Sequence, residues 1–246
     1  MNSKISASGI GELLTGGKTG ESYLLRKTME ALGIEDNLDT KPMQHGTISQ
    51  YEAYELIVSE MDNAKWHDTY TPINDYCGAS ADCIGDVAVY DIKSPYYVDT
   101  YLEQCQKLPK KYYQQVQMQM IAEKKEFGAV VLYLTSPEID MYGNKIEYPF
   151  PLEDRFFIHS FGADLEIQER ILKEAERGYL TLVDWFEILA NAPTKERDEF
   201  FYEQMKGGNI YRKLKTASSI ETQSEKHLDL TMNFTTKLNH DATNSE

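Results

Sequence analysis

Apolar and polar positions divide the chain into a mixed first part and a helical second part. From Gly20 to Leu32, apolar side chains fall at Tyr23, Leu24, Met29 and Leu32 and the run ends at Gly33. That is the spacing of an amphipathic helix with a glycine stop. Ser49 to Met61 reads the same way. Tyr70 to Cys77, Ile84 to Ser94 and Ala129 to Thr135 have the look of strands, the last reading AVVLYLT. Val98 to Phe127, between the second and third of these, reads as helical, so the chain contains a strand, crossover helix, strand unit and an α/β core is expected. Lys145 to Phe150 and Arg155 to Phe161 would extend the sheet as a hairpin, with Pro149 and Pro151 suited to an edge. From Asp164 the period is helical. DLEIQERILKEAERG stops at Gly178, Thr181 with Asp184 resembles a capping box before TLVDWFEIL, and a third helix spans Thr194 to Met205. Trp185 and Phe186 are expected in the core. Beyond about Thr216 the sequence is polar, rich in Ser, Thr and Asn, and without sustained period, so residues 1–215 are read as one domain and 216–246 as a mobile tail.

Composition bounds this picture. With 246 residues, 41% of them hydrophobic, the chain can bury one good-sized core. No apolar run approaches the length of a membrane span and no signal-peptide core opens the chain, so a soluble, cytoplasmic protein is expected. Three cysteines, Cys77, Cys83 and Cys105, form no C-x-x-C pair, which argues against a disulfide framework and against structural zinc. The five histidines lack metal-ligand spacing. Gly16-Gly17-Lys18-Thr19 suggests a phosphate-binding loop, but Glu12 stands where that motif needs its first glycine and no apolar strand precedes it. Seventeen tyrosines are scattered in a way that suits packing better than base stacking.

The chemistry is concentrated in Gly78 to Pro95, GASADCIGDVAVYDIKSP. Asp91 and Lys93 are two apart on a predicted strand, so both side chains leave the same face. Gly85-Asp86 is a plausible hairpin turn that would fold Asp82 back towards Asp91. Two carboxylates and an ammonium then converge, which is the donor set for a hard divalent cation and a positioned water, as hydrolysis of a phosphodiester requires. Taken alone, the same residues also fit a solvated ion pair with Asp82 in a polar turn.

Flanking blocks in a fixed order extend the pattern. They are Ile5-Ser6-Ala7-Ser8 with Gly11-Glu12-Leu13-Leu14, then Gly17-Lys18 with Glu21-Ser22-Tyr23, GTISQYEAYEL over Gly46 to Leu56, the hairpin from Cys77 to Pro95, and YYQQVQMQM over Tyr112 to Met120. Together, over residues 5 to about 135, they resemble the lambda-exonuclease and YqaJ-type viral recombinase branch of the PD-(D/E)xK nucleases. Asp82 stands in the place of the motif's first aspartate, Asp91-Ile92-Lys93 in the place of (D/E)xK, Glu52 in the place of the helix glutamate, and Gln115 and Gln117 in the place of Q-x-Q. Ala81 replaces the usual proline and Asp91 the glutamate usual in the exonuclease branch. Lys4 is the only upstream counterpart for a basic residue that relatives place before the serine block.

The resemblance implies a restriction-endonuclease-like α/β core, with a central mixed sheet flanked by helices and helical additions at the C-terminal end. It implies a Mg²⁺- or Mn²⁺-dependent deoxyribonuclease with one or two ions held by Glu52, Asp82, Asp91 and the Ile92 carbonyl. In that reading Lys93 orients the attacking water, and Gln115 contacts a metal-bound water or the scissile phosphate. Ser8, Lys18 and Ser80 lie near a terminal phosphate. The expected activity is 5'-to-3' resection of double-stranded DNA ends for phage-type recombination. A single-strand annealing protein is the expected partner, and a ring of three subunits the expected assembly.

Charge has to be squared with such a substrate. Asp plus Glu number 40 against 25 Lys plus Arg, a net charge of -15, so the average surface repels DNA and the cations that bind it must be gathered locally. Lys107, Lys110 and Lys111 form one group beside the predicted site, and Lys18, Arg26 and Lys27 another. Two rivals remain: a structure-specific or restriction-like endonuclease on the same fold, and a catalytically silent acidic module that mimics DNA. The lack of four cluster-binding cysteines weakens a Cas4-like alternative.

Overall fold

The six residues Ala88–Lys93 are buried except at the last position, and a strand buried on both faces belongs inside a sheet. The structure, a computed structural model, describes residues 3–34, 41–135, 150–193, 195–197 and 199–200. In chain order it contains β1 (Ile5–Ser6), α1 (Ala7–Thr15), α2 (Gly17–Ala31), α3 (Lys41–Leu56) and a 3-10 turn (Val58–Glu60). Then come β2 (Lys65–Trp66), β3 (Thr71–Pro72), β4 (Cys77–Ala79), β5 (Cys83–Ile84), β6 (Ala88–Lys93), α4 (Val98–Gln106), α5 (Lys110–Glu123), β7 (Phe127–Tyr133), β8 (Phe156–Gly162) and α6 (Leu165–Asn191). The main sheet has the order β2-β5-β6-β7-β8, and a smaller one the order β1-β4-β3.

β6 and β7 run parallel, from Ala88↔Phe127 to Lys93↔Leu132, joined by the crossover that the α/β reading requires. β5 and β8 are antiparallel to their neighbours, so the sheet is mixed. Strand alternation sends Ala88, Tyr90 and Ile92 into a core with Ala53 and Val58, on the face that α3 covers. Val89 goes to the opposite core with Val116, Met120 and Tyr101, on the face that α4 and α5 cover. The α/β nuclease-like core and mixed sheet expected from the sequence are therefore present.

Several boundaries differ from the sequence reading, each for a local reason. The expected strand from Tyr70 to Cys77 is cut to Thr71–Pro72 because Asn74 makes a turn, its Oδ1 accepting from the backbone N–H of Tyr76 (3.1 Å) and Cys77 (2.9 Å). Ile84 to Ser94 is a hairpin rather than one strand, turning at Gly85-Asp86 as expected. The helix expected over Val98 to Phe127 breaks before Lys110, where Pro109 caps α5.

Gly178 does not stop a helix. α6 runs through it, and a Cβ at that position would come within 2.8 Å of Leu13 Cδ2, so the bare Cα admits Leu13 and Leu24 to the helix. Thr181, expected as a cap, instead donates from Oγ1 to Arg177 O one turn back (3.0 Å). Trp185 is buried as expected, whereas Phe186 is only partly covered. Residues 145–149 of the strand expected over Lys145 to Phe150, the boundary at 215/216 and the tail at 216–246 lie outside the described residues. The described residues up to Ala190 belong to one compact unit and those from Asn191 to a second. Of the latter, 195–197 and 199–200, within the helix expected over 194–205, are helical.

The β5–β6 hairpin is clamped by Asp62, whose Oδ2 accepts from the N–H groups of Val87 and Ala88, both at 3.0 Å. Asp62→Ala would leave those donors without their carboxylate, and is expected to lower stability by about 1–3 kcal/mol, read as a shift of the urea midpoint at constant slope.

Candidate active site

Asp91 shares its strand face with Val89, so it points at α5 and not at solvent. It is fully buried, and a buried carboxylate requires donors. α5 supplies two from residues one turn apart: Gln115 Nε2 donates to Asp91 Oδ1 at 2.7 Å and Gln119 Nε2 to the same oxygen at 2.9 Å. The other oxygen, Oδ2, carries the Lys93 ammonium at 2.7 Å. The Asp-x-Lys pair is thus a desolvated ion pair with charge-assisted support, and the solvated-face alternative is excluded.

Asp82 immediately precedes β5, which pairs Cys83 with Tyr90, and this brings it back beside β6. Its Oδ2 accepts from Ile92 N–H at 2.6 Å. Burial, and then the negative charge of Asp91, push its carboxyl up to about 7, against the opposing pull of Lys93 and the Ile92 N–H. Burial pulls the Lys93 ammonium down, but Asp91 and Asp82 outweigh it and hold the group above its ordinary value. The Lys93 Nζ also lies over the Tyr112 ring, 5.4 Å from its centroid, and Lys111 Nζ stands 5.1 Å from the same ring. Cys83 is a core residue on the α3 side, its thiol pushed up to about 12 chiefly by burial.

The other expected residues are more dispersed. Glu52 is exposed on α3, the helix over the opposite sheet face, and accepts from Thr135 Oγ1 at 3.4 Å. Among the described residues no three His, Cys, Asp or Glu side chains come together as a metal-holding group, so Glu52 is not gathered with Asp82 and Asp91 in this arrangement. The Ile92 carbonyl accepts from Gln50 Nε2 at 3.2 Å. Ser8 is exposed, its Oγ 3.1 Å from Ser6 Oγ. Ser80 is exposed, while its carbonyl accepts from Gln119 Nε2 at 2.8 Å. Lys18, Lys107, Lys110 and Lys111 are all exposed, and Lys111 is tied to the acid pair through Tyr112.

Gln119, Gln50 and Tyr112 were not singled out from sequence. Gln119 carried a usable signal, since YYQQVQMQM places it four residues after Gln115 on one helix face. Gln117 faces elsewhere: its Nε2 donates to Gly162 O (2.9 Å), and its Oε1 accepts from Asp164 N–H and Gln168 Nε2, both at 3.0 Å.

Removing Lys93 would strand a buried carboxylate. Lys93→Met is expected to cost about 3–5 kcal/mol, and the double variant with Asp91→Asn less than the sum of the two single changes, both read from urea unfolding.

No family model matches the sequence, and the search of curated proteins found no match. Solved structures are. LHK-Exo, an alkaline exonuclease from Laribacter hongkongensis, is 21% identical, with a TM-score of 0.63 over 76% of this chain and 92% of that one. A second structure of it, in complex with dAMP, superposes equally well over 91% of its chain. A phage-related exonuclease from Haemophilus somnus 129PT is 12% identical, with a TM-score of 0.66 over 76% of this chain and 96% of that one. The chain has the fold of these alkaline and phage-related exonucleases, the fold that the resemblance to the lambda-exonuclease and YqaJ-type proteins implies.

Proposed function

We propose that the protein is a metal-dependent deoxyribonuclease that degrades linear double-stranded DNA from its ends, in the 5'-to-3' direction. The observation that carries this reading is the buried Asp91–Lys93 pair with Asp82 beside it, on the inner strand of a fold shared with exonucleases. Structural support alone would not require a second carboxylate next to the first, where Asp91 raises the cost of charging Asp82.

The crowding of Asp82 is also the reason a cation fits. Asp82 and Asp91 are oxygen donors, the charge of Asp91 helps push the Asp82 carboxyl up, and a hard divalent ion would relieve it. Mg²⁺ or Mn²⁺ would be held by Asp82 and Asp91, with Glu52 and the Ile92 carbonyl joining if Glu52 turns inward and Gln50 releases the carbonyl. When bound, the ion would polarise the phosphate and favour ionisation of the attacking water. Lys93, fixed by Asp91, supplies a positive charge in a dry setting where transition-state charge develops. Gln115 orients Asp91 from the α5 side and is placed to reach a phosphate oxygen by a side-chain rotation. Ser8, Ser80 and Lys18 would take the terminal phosphate, and Lys107, Lys110 and Lys111 the strand beyond it. A ring of three subunits would keep an acidic protein on DNA without a tight grip, and the single strand left behind would suit an annealing partner in a bacterial cytoplasm.

The deciding experiment is release of acid-soluble nucleotides from linear 5'-phosphorylated duplex and from covalently closed circles, with Mg²⁺ or EDTA. Loss of linear DNA alone is expected, abolished by EDTA and reduced about 10²- to 10³-fold in Asp91→Ala and Lys93→Ala. Cutting of circles would favour the endonuclease reading, and no cleavage the silent module. Independently of turnover, Mn²⁺ at about 100 times its Kd is expected to stabilise the wild type by about 2.7 kcal/mol in thermal unfolding, and to leave Asp82→Asn unshifted.

A further inference from the structure

We infer that Gln119 is a positioning residue that fixes how Asp91 and the segment Ser80–Asp82 jointly present their oxygens to a divalent cation. The inference rests on the nuclease reading and adds to it a residue other than the Gln115 and Gln117 of the Q-x-Q pattern. Gln119 is fully buried on α5 and reaches both β6 and the residue that follows β4 with one amide nitrogen. Nε2 donates to Asp91 Oδ1 at 2.9 Å and to the carbonyl of Ser80, two residues before Asp82, at 2.8 Å. An amide nitrogen has two hydrogens, so both are committed.

The orientation is single-valued. Turning the amide over would set its oxygen against a carboxylate and a carbonyl, three acceptors facing one another with no donor. Gln119 therefore works as a rigid spacer between β6 and the strand end that leads into Asp82. Asp82 is tied back by its own bond from Ile92 N–H, which closes the loop between the two acids. Neither neighbour can replace it. Gln115 is less buried and reaches Asp91 alone among these groups, while Lys93 supplies charge but a flexible stem. Without Gln119, the Asp91 carboxylate keeps partners but loses its fixed link to the segment carrying Asp82.

Gln117 provides an internal control. It is equally buried, two residues away, and spends its amide on Gly162, Asp164 and Gln168, away from both acids. The test compares wild type, Gln119→Met, Gln119→His and Gln117→Met in the full chain. It reads Mn²⁺ affinity by calorimetry on metal-free protein, metal half-saturation of linear-duplex cleavage, and Tm without metal. Gln119→Met is expected to weaken Mn²⁺ binding about 10- to 100-fold, with the half-saturation point moving in step. Gln119→His, which retains one donor, should fall between it and wild type and provides the comparison if the methionine variant does not fold. Gln117→Met should lower Tm and leave Mn²⁺ affinity unchanged. Folded Gln119 variants with wild-type affinity, or an equal loss in Gln117→Met, would overturn the inference while leaving the nuclease reading in place. A wild type that neither binds Mn²⁺ nor cleaves DNA would remove both.

Discussion

An ion pair on an inner strand is the constraint around which this molecule is arranged. Asp91 and Lys93 sit in a segment whose other side chains are apolar, where an unpaired charge is costly and a pair is tolerated only if its remaining capacity is filled. That requirement fixes the helix above it. α5 must lie at the height and rotation that bring Gln115 and Gln119 onto one carboxylate oxygen, while Val116 and Met120 from the same helix close the core beside them. α1 packs on α5 in turn. Thus the element bearing Ser8 takes its position, two steps removed, from the needs of one buried acid.

The same arrangement gathers positive charge at one place on an acidic chain. Lys93 and the exposed Lys111 both place their ammonium groups against the Tyr112 ring. An aromatic ring can partner an ammonium group without cancelling its charge as a carboxylate would.

Much of this was legible before any coordinates. The Asp-x-Lys spacing predicted a shared face, and Gly85-Asp86 predicted the turn that returns Asp82; both follow from strand period and turn chemistry, which are local rules. The directions that involve the other side of the sheet were not. Nothing in EAYEL tells which face α3 covers, so the approach of Glu52 from the side opposite α5 could not be read from spacing. Gly178 misled for a related reason. A glycine that admits Leu13 into a helix groove and one that ends a helix look identical in sequence, because the distinction lies in a segment more than 150 residues away. Asn74 misled differently: its local turn outcompeted an apolar stretch that otherwise suited a strand.

The parallel pairing of β6 with β7 has a further consequence, for timing. A parallel neighbour can be reached only after the whole crossover is in place, and pairings across long loops form late because their closure entropy comes first. The contacts that tie the site to its helices span such a distance: Gln115 to Asp91, Gln119 to Ser80, Gln50 to Ile92, Thr135 to Glu52. An arrangement whose parts come from both sides of the sheet is complete only once the fold is.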